Sequence, residues 1–75
     1  MKLQAPKGFI AVEVITENEK VEDATEGLIA VKFIESVIDG RSAGKAFKSI
    51  LIGKDNPIFV MEDLQTIAIL INKAR

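Results

Sequence analysis

A chain of 75 residues with a net charge of −1 makes one domain, close to the smallest size that buries its own core. It has no cysteine, which excludes disulfides and thiolate metal sites, and no histidine, which removes the usual general base, pH switch and metal ligand together. Hydrophobic residues reach 48%, a high share for so small a domain, and isoleucine and valine dominate them, so part of the surface is expected to meet a partner.

Met1-Lys2-Leu3-Gln4-Ala5-Pro6-Lys7 lacks the apolar stretch of a secretory leader, and no later run approaches the ~18 apolar residues of a membrane span. A cytoplasmic protein with no membrane association is expected. Phe9 to Ile15 then reads as the first strand. Ile10, Val12 and Val14 share one face, and Phe9, Ala11, Glu13 and Ile15 the other.

Residues 16–27, TENEKVEDATEG, carry five acidic groups against one lysine and read as a mobile, solvated acidic loop. Calcium binding needs oxygen ligands at fixed alternating positions around a central glycine. Here Gly27 ends the stretch, so the pattern fails.

Leu28 to Asp39 reads as the longest strand. Ile29, Val31 and Phe33 alternate, Ile34 and Val37 fall on shifted parity, and a bulge near Phe33-Ile34 accounts for the shift. After a turn at Gly40–Gly44, residues 45–52 read as the third strand, with Ile50, Leu51 and Ile52 apolar in succession. Residues 53–56 form a second turn, Pro57 sets up an extended entry, and Ile58 to Met61 form the fourth strand.

Asp63 stands where an N-cap belongs, able to accept from the N–H of Gln65 or Thr66, and Glu62 adds charge at the positive end of a helix dipole. From Leu64 the period becomes helical. Leu64, Ile67, Ala68, Ile71 and Ala74 form an apolar stripe with Leu70 on its shoulder, and Ile69 falls among the outward polar residues. The expected fold is α+β, a four-stranded, mostly antiparallel, curled or barrel-like sheet with one C-terminal helix in the order β-β-β-β-α. Its expected core is Ile10, Val12, Val14, Ile29, Val31, Ile34, Val37, Ile50, Ile52, Val60, Leu64, Ile67 and Ile71.

No catalytic motif emerges. Gly40-Arg41-Ser42-Ala43-Gly44-Lys45-Ala46 has one residue too few between its glycines for a phosphate loop, and Ala46 lacks the hydroxyl that holds magnesium. Glu62-Asp63 is explained by helix capping, and no serine has a base to activate it. No enzyme activity, metal or cofactor is expected. Lys32, Arg41, Lys45, Lys48 and Lys54 form a candidate anion or nucleic-acid patch, although no basic charge excess accompanies it. Ile69, Leu70, Phe59 and Met61 are the candidate interface.

The order of Ile34 and Val37, a turn, Ser49-Ile50-Leu51-Ile52, a second turn, then Pro57-Ile58, Val60, Glu62-Asp63-Leu64 and Ile67 resembles small bacterial β-rich proteins of the flagellar and swarming-motility type. A strand hairpin leading into a helix is also similar to the LytTR type of DNA-binding domain, whose basic recognition loops are missing here. The resemblance covers residues 28–75 and implies the strand–helix order and a bacterial or phage origin. Asp63 and Thr66 replace the capping Ser and the Glu of the first pattern, and no functional residue carries over. The function expected is that of a non-catalytic structural or protein-interaction module, acting as a homo-oligomer or on another protein. The alternative is a small regulator that binds nucleic acid through the lysines.

Overall fold

The computed structural model describes residues 4–16, 18, 20–54 and 56–75. Glu17 and Glu19 of the acidic segment, Asp55 of the second turn and the first three residues lie outside them. Strands β1 (Phe9–Ile15), β2 (Thr25–Ala30), β3 (Ser36–Asp39), β4 (Ser49–Ile52) and β5 (Ile58–Val60) precede helix α1 (Leu64–Ala74). They form one antiparallel sheet in the order β2-β1-β5-β4-β3, α+β as expected, with five strands rather than four. The sheet is not closed, for β2 and β3 remain its two edges.

The fifth strand comes from residues 28–39. A 3-10 turn at Val31–Phe33 cuts the expected long strand, with Ile34 N–H donating to the Val31 carbonyl at 3.0 Å. What parity suggested as a bulge is a full crossover, and it sends β2 and β3 to opposite edges. Gly53 makes room for this turn, because a Cβ there would collide with the Phe33 carbonyl oxygen.

The acidic segment is shorter than expected at its C-terminal end. Thr25, Glu26 and Gly27 belong to β2, opposite Val14, Glu13 and Val12, and Val21–Asp23 form a 3-10 turn. Strand pairing decides there over local polarity. Residues 45–48 are likewise no strand; only Ser49–Ile52 pair, and the preceding loop carries Phe47 back over the sheet.

Strand alternation then sorts the core. The register places Ile10, Val12 and Val14 on the same face as Ile29, Val37, Ser49, Leu51, Ile58 and Val60. Helix α1 covers this inner face with Ile67, Leu70, Ile71 and Ala74. Ile10, Val12, Val60 and Ile67 are buried as expected. Val14, Ile29, Val31, Ile34, Val37 and Ile71 pack on them only half-buried.

Three expectations fail on direction. Leu51, not Ile50 or Ile52, is fully buried, because it faces Val37 and Ile58 across the inner side. Leu64 is exposed, and so is Ala68, since the buried stripe runs Ile67, Leu70, Ile71, Ala74 and is rotated towards Leu70. Ile15 and Phe47, absent from the expected core, are buried on the outer face. There Ile15 stands opposite Phe59, whose ring centroid lies 4.7 Å from that of Phe47. A Cβ on Gly40 would come within 2.5 Å of the Phe47 ring, so glycine is required beneath it.

Ser49 is fully buried between Asp39 and Val60, and its Oγ finds no hydrogen-bond partner among the described residues. An unsatisfied buried hydroxyl costs about 1–3 kcal/mol. Ser49→Ala is therefore expected to raise the melting temperature by about 4 °C or more, measured by circular dichroism. A fall would show that the hydroxyl stabilises the strand.

Candidate interaction surfaces

The five basic residues do not meet in one patch. Lys32 belongs to the 3-10 turn at Val31–Phe33, with its Nζ 5.3 Å from the Phe33 ring centroid, and Lys54 follows Gly53, which touches that same turn. Arg41, Lys45 and Lys48 lie at the other end of β4. Arg41 is held there by Asp39, with Nη2 to Oδ2 at 2.7 Å and Nε to Oδ1 at 3.0 Å. Lys45 Nζ donates to Asn18 Oδ1 at 3.4 Å.

The carboxyl groups of Asp39 and Asp63 titrate below their ordinary range. The hydrogen bonds from the Arg41 side chain and then its backbone N–H hold Asp39 down to about 2. Asp63 is lowered chiefly by the Thr66 N–H it caps at 2.9 Å, helped by the charges of Lys48 and Arg41. Both favour the charged form in the fold, so their stabilisation is complete above the unfolded value of about 3.9 and is lost as pH falls through the lowered folded values, about 2 for Asp39. Urea midpoints are expected to be level from pH 7 to about 5 and to decline below about 4, with a shallower decline in Asp63→Asn. A midpoint unchanged down to pH 2.5 would contradict this. The exposed Arg41–Asp39 pair contributes little, as exposed pairs do.

Glu62 does more than charge the helix start. Both its carboxylate oxygens lie 3.1 Å from the Glu13 N–H, while Met61 N–H donates to the Glu13 carbonyl at 2.9 Å. At the far end of α1, the Ala74 carbonyl accepts from Gly8 N–H at 2.9 Å. The helix is thus tied near its start to Glu13 of β1 and at its far end to Gly8, the residue just before β1. Between the ties lies a groove of about 790 Å³, lined among others by Phe9, Ala11, Thr66 and Leu70. Among the described residues, no group of three or more acidic side chains is arranged to hold a metal ion.

The four candidate interface residues are also divided. Ile69 is 50% exposed on the outside of α1, which covers the inner face, whereas Phe59 lies on the outer face under Phe47. Leu70 is half-buried and lines the groove, and Met61 is half-buried beyond β5.

A different apolar surface stands out on the outer face. Leu28 opposes Ala11, and Phe9 is the next residue of β1 on that face, opposite Ala30. Leu28 is 41% and Phe9 37% exposed, whereas Phe47 covers the outer face near β5. The sequence separates these two residues by 19 positions, and only the β1–β2 register brings them together. Their signal was the second apolar parity of Phe9, Ala11 and Ile15 within the first strand.

No family model, curated protein or solved structure matches the chain. No helix among the described residues is long and apolar enough to cross a membrane.

Proposed function

We infer that the chain is a non-catalytic protein-interaction module that associates with copies of itself through the outer face of β1 and β2. The observation that carries this reading is the adjacent exposure of Phe9 and Leu28 on the sheet face opposite the one that α1 covers. A two-fold pairing uses the same patch on both partners, so each side chain counts twice. Fully burying an exposed large apolar side chain contributes about 1.5–3 kcal/mol, and covering the part of Phe9 and Leu28 still exposed recovers a fraction of that from each of four groups. Phe33, 66% exposed beside Lys32, adds apolar surface for further contacts.

The nucleic-acid alternative loses support from the separation of Lys32 and Lys54 from Arg41, Lys45 and Lys48, and from the engagement of Arg41 by Asp39. Phosphate binding draws on several cations at once, along one backbone track.

Light scattering behind size exclusion tests the reading. The chain is expected to exceed its monomer mass of 8.2 kDa at tens of micromolar and to dissociate on dilution. Leu28→Lys puts a charge in the contact and is expected to weaken association at least tenfold without changing the fold. A monomer at every concentration, or association unaffected by Leu28→Lys, would overturn it.

A further inference from the structure

Among the described residues, no strand pairs with β1 along the groove between β1 and α1. β1 spans seven residues, but β5 spans three and pairs only with its end, at Val14–Val60 and Ile15–Phe59. At Met61 the chain leaves the sheet for the helix, so the place where a longer β5 would run beside Phe9 and Ala11 is the groove itself.

Hydrogen-bond parity shows which backbone groups face it. Gly8 accepts from Val31 N–H on the β2 side, and Glu13 accepts from Met61 N–H on the β5 side. Residues of β1 alternate between the two directions. The N–H and C=O of Ala11 and the C=O of Phe9 therefore point away from β2, and they have no hydrogen-bond partner among the described residues. An unpaired edge of this kind is a template for another strand.

Charge selects the direction of that strand. Lys7, Lys73 and Arg75 line the groove at its Gly8–Ala74 end, and Glu13, Glu26 and Glu62 line it at the other. A peptide continuing the line of β5 runs antiparallel to β1. Its chain then proceeds from the acidic end to the basic end and finishes with its terminal carboxylate among the three cations. A charge-assisted contact of that kind is stronger than one between neutral groups.

We propose that this groove captures the C-terminal tail of a partner protein, about four residues long, as an antiparallel strand added to β1. The backbone of Ala11 supplies the pairing, Phe9 and Leu70 flank the alternate side chains, and Lys7, Lys73 and Arg75 hold the carboxylate. Strand pairing lies in the plane of the sheet, while Leu28 projects from its face and does not line the groove; Phe9 borders both surfaces, so a Leu28 variant is the one that separates them.

The test is a ¹⁵N-resolved titration of the full chain with the pentapeptide Ala-Val-Thr-Val-Val, with free termini and as its C-terminal amide. Backbone recognition makes a generic β-forming sequence a sufficient probe. The amide of Ala11 is expected to shift on titration with the free peptide. Amidation, Lys73→Glu or 0.5 M salt should each weaken binding at least fivefold. No shift at Ala11 up to millimolar peptide would overturn the proposal, as would equal binding of the amidated peptide. A shift at Ala11 that follows protein concentration without peptide would assign the groove to a second copy, and would also overturn it. Repeating the titration with Leu28→Lys separates loss of self-association from loss of peptide binding.

Discussion

Gly53→Ala is expected to cost about 3 kcal/mol, the upper part of the usual range for forcing atoms into a packed site. The new Cβ would meet the Phe33 carbonyl oxygen, and that oxygen belongs to backbone fixed on both sides. Ile34 N–H donates to the Val31 carbonyl at 3.0 Å, and Glu35 N–H donates to the Ile52 carbonyl at 2.7 Å, next to Gly53 itself. The turn therefore has no cheap way to retreat, and the crossover from β2 to β3 loosens. For a domain of this size such a loss corresponds to a fall of roughly 12–24 °C in melting temperature. A fall of under about 3 °C would show that the turn at Val31–Phe33 does not press on Gly53.

Ile67→Ala removes the side chain that carries the helix into the core. Ile67 is 1% exposed and packs in the cluster with Ile10, Val12, Leu51 and Val60. Truncating a buried isoleucine costs about 2–5 kcal/mol, from lost burial and the cavity left behind. A domain of this length is held by only about 4–11 kcal/mol in all, so the variant is expected to be partly unfolded at 37 °C. Ile69→Ala, two residues away and half exposed, is the comparison and should change stability by no more than about 0.5 kcal/mol. Equal effects in urea unfolding would mean that α1 is seated with a different face inward.

These two positions also show what was legible in the sequence. The helix and its start were readable from local chemistry, because the cap is made within three residues and the Ile67–Ile71–Ala74 spacing is helical. The first strand was readable from its alternation. Residues 28–39 were not, since a stretch dense in β-branched residues says nothing of the sharp turn that a distant glycine accommodates. The shifted parity of Ile34 and Val37 was the visible trace of that turn. The choice of Leu51 over Ile50 and Ile52 was equally hidden, for it depends on which face β4 shares with β5 and β3.

The sites were less legible than the fold. The lysines looked like a group because they are close in sequence, but β4 holds them at its two ends. The contact of Glu62 with Glu13 spans 49 positions and leaves no local pattern. The Phe9–Leu28 surface follows from the β1–β2 register and the edge of Ala11 from the insertion of a short β5 beside β1, pairings that periodicity does not reveal.

The most direct test of self-association through the outer face is an isotope-filtered NOE experiment on an equal mixture of ¹³C-labelled and unlabelled chain at high concentration. Intermolecular contacts from the Leu28 methyl groups to the Phe9 ring of another copy are the expected result. Intermolecular contacts confined to α1, or none at all with a mass of 8.2 kDa, would contradict it.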